Sequence, residues 1–388
     1  MKNFIFFNPA RILFGKGQLA GLADEIKRLD CKRILVVSGR GSVKRIGLYD
    51  KVISILKDMG LIFFELEGIH PNPRLADVRR GIDICKRNNV DFILAVGGGS
   101  VIDAGKAIAA GAVCQRDIWD YFAKRYEIEG ALPLGDILTL AATGTEMNGN
   151  AVITNWETKD KLSIGSSHLI PKFSILDPEY TYSVPKDQTV YGIVDIMAHV
   201  FEAYFSPTPN TPLHDRIAEG IMTTLVENAY KVLDNLKDYD ARANIMWCGS
   251  MALNGLIGTG KEEDWATHDI EHEVSAIYDI PHGGGLAIIF PNWMKYVLDE
   301  GVDKFVQYAQ RVWNVQDNGQ GDREIALEGI QRTREFFDHL GAPSTLKDYG
   351  IGHENIDVMA QKAVRFGPIG GYKKLYKEDV ANILKMCL

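Results

Sequence analysis

The sequence predicts an α/β nucleotide-binding domain with a mostly parallel, Rossmann-like sheet, followed by an all-α domain. Three observations carry this expectation. The first part of the chain alternates helical periodicity with short continuous apolar runs, the pattern of βαβ units whose strands are covered on both faces. A glycine-rich turn, Gly97-Gly98-Gly99-Ser100, stands where one such run ends and a helix of small residues begins. Beyond Asp177-Pro178 the strand signals nearly vanish and long helical patterns fill the remainder. A chain of 388 residues exceeds what one core usually supports, so the expected domains are 1–180 and 181–388, joined around Pro178 to Pro185.

Taken in order, Asn3–Phe7 and Arg11–Phe14 read as two short strands about an Asn8-Pro9 turn that makes a hairpin. Leu19, Leu22, Ile26 and Leu29 then fall at helical spacing, and Arg33–Ser38 is a continuous apolar run. The alternation continues with Tyr49–Met59 as helix, Leu61–Leu66 as strand, Leu75–Arg87 as helix, Asp91–Val96 as strand and Val101–Gly111 as helix. This rhythm implies right-handed crossovers. Further strands are expected at Ile137–Ala141, Ala151–Asn155 and Phe173–Leu176, and helices at Gln188–Tyr204, Leu213–Leu236, Ala241–Leu256, Asp322–Leu340 and Asn355–Arg365.

Hydrophobic residues make up 46% and charged residues 24%, an ordinary globular mix, and the net charge of −8 disfavours a nucleic-acid partner. Phe4–Phe7 is too short an apolar run for a signal peptide or membrane span, so the expected location is the cytoplasm, with no membrane partner. Five scattered cysteines without a Cys-x-x-Cys pair argue for reduced thiols rather than disulfides or a thiolate zinc site. The apolar Asn3–Phe7 strand, left as an edge, makes a homodimer the expected assembly.

A strand running straight into Gly-Gly-Gly-Ser and a helix is a phosphate cradle in physical terms. Glycine lets the backbone approach an anion, and the free amides and dipole of the helix start favour negative charge. A tight turn without a ligand is the competing explanation, since Ile102 stands where the dinucleotide fingerprint wants its last glycine. After the first long strand comes Ser38-Gly39-Arg40-Gly41-Ser42-Val43-Lys44, with no acid to bind a ribose 2′-hydroxyl. Ser42, with Arg40 or Lys44, offers donors for a 2′-phosphate instead, so NADP(H) is favoured over NAD(H). Thr139 to Glu146 adds hydroxyls around Gly144 just past a strand, suited to ribose or diphosphate, though Thr-rich turns also cap helices.

Asp195 and His199 are four apart, as are His268 and His272, so each pair stacks on one helix face; His282 follows, ahead of three glycines. One carboxylate with several neutral imidazoles suits iron(II) or zinc better than magnesium. Spacing alone leaves two alternatives open, a shared metal site or separate packed histidines, and does not decide whether His272 is a ligand. Met147, Asn150, Trp247 and Trp265 are candidates to line an apolar substrate pocket, or else simply core.

Taken together, Gly97-Gly-Gly-Ser-Val-Ile-Asp103-Ala-Gly-Lys106, Ala142-Thr-Gly-Thr-Glu146, Asp195 with His199, and His268 through Pro281-His282-Gly283 resemble the iron-dependent (group III) alcohol dehydrogenase family, in particular its branch of NADPH-dependent butanol dehydrogenases and broad-range aldehyde reductases. The match keeps the same order across essentially the whole chain. The resemblance implies the dehydroquinate synthase-like fold, with cofactor and metal held in a cleft between an α/β and a helical domain. It implies Asp195, His199, His268 and His282 as ligands of one Fe2+ or Zn2+, with His272 beside the nicotinamide and not on the ion; imidazole chemistry near neutrality then offers His272 as a proton relay, against a plain packing histidine. It also implies Gly98, Gly99 and Ser100 at the pyrophosphate, Thr139, Thr143 and Lys161 around the cofactor, and Asp103 near the nicotinamide end, to which the turn after the first long strand adds Gly39 and Ser42 as cofactor-binding candidates. The expected activity is hydride transfer between NADP(H) and a small primary alcohol/aldehyde pair of butanol and butanal type. Rivals are an NAD-dependent glycerol or diol dehydrogenase or a dehydroquinate-synthase-like lyase of the same architecture, and, from another class, a metal- or nucleotide-binding protein without catalysis.

Overall fold

The computed structural model describes all residues from 1 to 388. A six-stranded sheet forms the centre of the first compact unit: β1 (Ile12–Phe14), β2 (Arg33–Gly39), β3 (Ile62–Ile69), β4 (Phe92–Gly97), β5 (Leu134–Leu138) and β8 (Phe173–Leu176). Every pairing is parallel, and the strand order is β1-β8-β5-β4-β2-β3. Two further strands, β6 (Asn150–Asn155) and β7 (Asp160–Gly165), make a separate antiparallel hairpin. Helices α1 (Leu22–Arg28), α2 (Ser42–Arg45), α3 (Leu48–Asp58), α4 (Leu75–Asn88), α5 (Gly99–Val113) and α6 (Ile118–Ala123) supply the connections.

The apolar runs are explained by burial on both faces. Leu35, Val37, Ile93 and Ala95 pack with α4 and α5 residues such as Val78, Ile82, Ile102 and Ile108. Ile34, Val36, Phe92 and Leu94 pack on the opposite face with Leu22, Ile26, Val52 and Leu56. Gly135 in β5 has a local reason: a Cβ there would come within 2.6 Å of the Phe173 ring. That bare backbone lets Phe173 stack on Phe92, ring centroids 5.8 Å apart.

The strand order has a chemical consequence. The chain passes from β2 to β3 on one side and then to β4 on the other, so β2 and β4 are neighbours, with Ser38 opposite Val96. Their carboxyl ends therefore lie side by side at a topological switch point, the place where open α/β sheets accept ligands.

The second unit is helical: α7 (Lys186–Tyr204), α8 (Pro212–Asp234), α10 (Ala266–Tyr278), α11 (His282–Val297), α12 (Val302–Val312), α13 (Asp322–Leu340), α14 (Ile356–Ala363) and α15 (Lys377–Met386). Between α8 and α10 lies α9 (Tyr239–Ala252), which belongs to the α/β unit. Met246 joins that unit's core and the Ser250 hydroxyl donates to the buried Glu146 carboxylate. Compact units are thus Phe7–Val184 with Leu236–Asn254, and Pro185–Asn235 with Gly255–Leu388 and Met1–Phe6, rather than the contiguous stretches 1–180 and 181–388. The N-terminal residues join the helical unit through Lys2, whose amide donates to the Gly260 carbonyl at 2.8 Å and whose ammonium pairs with Glu262 at 2.9 Å. No helix is long and apolar enough to cross a membrane.

Several local expectations are corrected. Asn3–Phe7 forms no strand and no hairpin with β1, which pairs with β8 instead. Asn8 is held by its own side chain, donating to the Met147 and Asn254 carbonyls at 2.7 and 3.0 Å. The strand expected at Ile137–Ala141 runs from Leu134 to Leu138, so Thr139 opens the following loop, and β7 escaped notice because Asp160, Lys161 and Ser163 interrupt its apolar pattern.

Phe173→Ala removes a fully buried ring from the stack on Phe92 and is expected to cost about 3–5 kcal/mol of unfolding free energy. Urea denaturation checks this, and a loss of less than about 1 kcal/mol would show that the sheet core does not depend on that pair.

Candidate metal centre and nucleotide site

Helix α7 carries the first candidate ligands. With Asp195 and His199 one turn apart, both side chains reach the same buried face, and the Asp195 Oδ1 to His199 Nδ1 distance is 3.8 Å. His268 enters from the first turn of α10, and its ring stacks on that of His199 with centroids 4.8 Å apart. His282 enters at the start of α11, with Nε2 3.6 Å from Asp195 Oδ1. Donor atoms of Asp195, His268 and His282 all lie within 4.8 Å of one another. Three of the four residues proposed for one ion thus converge, and His199 lies beside them against Asp195 and His268.

Hydrogen bonding shows what that place lacks. Asp195 Oδ1, His199 Nδ1 and His268 Nε2 are buried and have no partner in the protein. Buried polar atoms without partners are costly, and several facing one point are what a cation would satisfy. Burial pushes the His199 pKa down to about 3, holding its imidazole in the neutral form that ligates metals. Burial also acts to lower that of His268, but the Glu202 carboxylate against it, together with the charges of Asp195 and Glu271, raises the net value. The residues present therefore fit a divalent ion of the iron or zinc kind.

Two carboxylates missed in the sequence hold the imidazoles from behind. Glu202 is fully buried and its Oε1 lies 2.6 Å from His268 Nδ1, leaving Nε2 turned toward the cluster. Oε1 also accepts from the Thr267 hydroxyl, and Oε2 from the Trp265 amide at 2.7 Å. Trp265 sits in a left-handed conformation with φ of 65°, costly for a bulky residue, and Glu202 helps hold it there. Glu271, also fully buried, bonds His282 Nδ1 and the Ser275 hydroxyl. A signal existed for both: Glu202 stands three residues after His199, and Glu271 three after His268, each on the ligand face of its helix.

The glycines after His282 have a steric role. A Cβ on Gly283 would meet the Tyr191 backbone of α7, and one on Gly285 would lie 2.7 Å from Glu271. Only a bare backbone lets α11 approach closely enough to present His282. His272, half-buried, groups with Glu271 and His282 rather than with Asp195, and its ring centroid is 5.5 Å from that of His282. Trp265 packs edge-on against His268 at 5.1 Å, as a wall beside the imidazoles. Trp247 instead packs against Phe14 in the α/β unit, Asn150 is exposed there, and Met147 is half-buried in the same unit.

In the α/β unit, Gly98 and Gly99 connect β4 to α5, with Ser100 in the first turn of the helix. A Cβ on Gly99 would sit 2.5 Å from Thr143 Oγ1, so the loop after β5 lies directly over the helix start. Gly39 ends β2, and Gly41, at φ 113°, turns the chain so that Ser42 begins α2 and stays exposed. Thr139 is buried and Thr143 half-buried on the loop after β5. Lys161, expected around the cofactor, is buried on β7. The Asp103 carboxylate accepts from the Thr145 hydroxyl at 2.7 Å and the Val152 amide at 2.9 Å, so its oxygens are engaged within the protein. Lys44, expected as a phosphate donor, pairs with Glu67 at 2.7 Å.

Comparisons with known proteins identify the family. Residues 9–178 match the family model for iron-containing alcohol dehydrogenase, and residues 189–388 match the C-terminal model of the same family. The chain is 52% identical over 388 residues to a probable NADH-dependent butanol dehydrogenase 1 of Bacillus subtilis, covering all of both chains. It is 41% identical to an NADPH-dependent aldehyde reductase of Escherichia coli, over 95% of this chain and 94% of that one. The crystal structure of NADH-dependent butanol dehydrogenase A from Thermotoga maritima superposes with a TM-score of 0.96 at 42% identity, covering 100% of this chain and 99% of that one.

Replacing Glu202 by Gln keeps the shape but removes the charge behind His268, and is expected to weaken divalent-metal affinity by about 10–100-fold. Competition against a chelator of known affinity measures it, and an unchanged dissociation constant would show that Glu202 has no part in metal binding.

Proposed function

The chain is a member of the iron-containing alcohol dehydrogenase family, and on that premise we propose that it reduces small linear aldehydes such as butanal to primary alcohols, and catalyses the reverse, with NADP(H) as preferred cofactor. The observation that supports the reading best is the group of buried, unpartnered donor atoms on Asp195, His199 and His268, with His282 alongside.

In this reading Asp195, His199, His268 and His282 hold one Fe2+ or Zn2+. When bound, the ion supplies Lewis acidity for the substrate oxygen and the nicotinamide supplies or accepts hydride. The chain's residues do the rest. Glu202 and Glu271 fix the ring orientation of two ligands, and Trp265 shields the imidazoles on one side. His272 passes the alcohol proton to or from solvent, its half-buried ring having access to both. Reduction consumes aldehyde, reduced dinucleotide and one proton, and yields alcohol and oxidised dinucleotide. Amides of Gly98, Gly99 and Ser100 at the start of α5 bind the diphosphate, and Thr139, Thr143 and Lys161 hold the rest of the dinucleotide.

Gly39 and Ser42 at the end of β2 leave room and a hydroxyl donor for a 2′-phosphate, with exposed Arg40 adding charge, which favours NADP(H). NAD(H) is the second reading, favoured by the Glu67 carboxylate that neutralises Lys44 beside this loop and by relatives named as NADH-dependent. The same proposal places the enzyme in the cytoplasm, consistent with five free thiols, and as a homodimer, with exposed Phe4, Ile5, Phe6 and Phe7 as the surface to be covered. Light scattering on a size-exclusion column tests the dimer.

NADPH-dependent reduction of butanal is expected to vanish on treatment with a strong chelator and to return with added Fe2+ or Zn2+, and His268→Ala is expected to contain no tightly bound metal. Full activity of the chelated protein, or normal metal content in His268→Ala, would overturn the assignment. The ratio of kcat/KM for NADPH over NADH is expected to exceed one. A ratio below one selects the second reading, and glycerol oxidation with NAD in the absence of butanal reduction would instead favour a polyol dehydrogenase.

A further inference from the structure

Helix α5 does more than offer its N-terminus to an anion. Lys106 lies on it, three residues after Asp103, and is completely buried. A buried ammonium needs an acceptor for every N–H. Lys106 Nζ finds three oxygens: the Asn148 carbonyl at 2.7 Å, the Asn148 side-chain Oδ1 at 3.1 Å and the Asn150 carbonyl at 2.9 Å. All three belong to the segment that leads from β5 to β6.

Asn148 passes the restraint on. Its side-chain amide donates to the Gly144 carbonyl at 2.9 Å and toward the Thr143 carbonyl at 3.4 Å, while its Oδ1 accepts the Asn150 amide at 2.9 Å. Asp103, on the same face of α5, grips the segment at two further points, the Thr145 hydroxyl and the Val152 amide. The segment 143–152 therefore carries an anchor from α5 at Thr145, Asn148, Asn150 and Val152. Its first residue, Thr143, is the one that sits above Gly99 in the phosphate cradle.

We propose that Asp103 and Lys106 are positioning residues that clamp the 143–152 segment over the cradle, so that the Thr143 hydroxyl and the first amides of α5 are pre-arranged for the dinucleotide. Neither residue touches the cofactor in this assignment. Each acts through the loop, lowering the ordering that binding would otherwise demand. Burial lowers the Lys106 pKa to about 8, and the nearby Asp103, Asp136 and Glu146 carboxylates oppose that shift, so the ammonium stays charged at neutral pH and its bonds to the carbonyls are of the strong, charge-assisted kind. The inference rests on the reading that residues 98–100 and 143 bind a nicotinamide dinucleotide.

The test uses the full-length protein loaded with zinc, and titrates NADPH and NADH by quenching of tryptophan fluorescence for the wild type and for Lys106→Met, Asn148→Ala, the double variant and Thr145→Val. Each single variant is expected to raise the dissociation constant of the preferred dinucleotide, by about tenfold for Lys106→Met, roughly the loss of one charge-assisted hydrogen bond. KM for the dinucleotide rises with it, while kcat stays within about twofold and zinc content is unchanged. The double variant is expected to bind no worse than Lys106→Met, because both substitutions break one clamp. A folded Lys106→Met with wild-type affinity, or a double variant whose losses add, overturns the clamp. Should Lys106→Met fail to fold, Thr145→Val, which removes one hydroxyl at constant shape, decides by the same measure, and its wild-type affinity overturns the clamp. A wild type that binds neither dinucleotide overturns the cofactor reading and the clamp together, whereas tight wild-type binding matched by every variant overturns the clamp alone.

Discussion

Glu202 is a carboxylate with no water to turn to. It is fully buried in the helical unit, so both of its oxygens must find donors, and they find them at the Trp265 amide, the Thr267 hydroxyl and His268 Nδ1. Those three donors make up the start of α10. By satisfying itself, Glu202 fixes where α10 begins relative to α7, holds Trp265 in a left-handed conformation, and aims His268 Nε2 at Asp195. Glu271 repeats the device one helix later with His282. The cluster of donor atoms is therefore the outcome of a buried hydrogen-bond network, in which moving one member leaves another charge unsatisfied.

The α/β unit uses the same logic with opposite sign. There the buried charge is an ammonium, and Lys106 satisfies it by drawing in carbonyls of the loop that follows β5. Glycine permits the close approaches that both networks need, with Gly99 under Thr143 and Gly283 against the α7 backbone. Gly144 is a third case: at φ 56°, a Cβ on it would lie 2.7 Å from the Gly249 carbonyl of α9, so its bare backbone permits that close approach. In each case a missing side chain is the condition for a contact made elsewhere by a charged one.

The two models of the iron-containing alcohol dehydrogenase family match the chain over residues 9–178 and 189–388. Three relatives of comparable likeness are named for NADH, and another for NADPH. In the proposed reading, cofactor choice turns on a few groups just past β2, too local to follow from overall similarity: Ser42 and Arg40 on one side and the Lys44–Glu67 pair on the other.

Much of the fold was legible because burial on both faces writes itself as unbroken apolar runs: β2, β4 and β8 fall within a residue or so of their expected limits, and α4 and α13 within one residue. Where a strand is half-polar, as β7 is, or where an apolar stretch is simply exposed, as Phe4–Phe7 is, the same rule misleads. The histidine and aspartate spacings on α7 and α10 identified candidate ligands, because helical periodicity is a local property. The sequence by itself determined which residues share a helix face and where the backbone is bare. Spacing left His268 and His272 equal and the family resemblance implied His268, whose donor atoms the structure groups with those of Asp195 and His282; tertiary structure alone decided that Glu202 and Glu271 stand behind the imidazoles and that Asp103 holds a loop. Those outcomes depend on which buried group meets which across tens of residues of chain, and a partner at that distance leaves no periodic trace in the sequence.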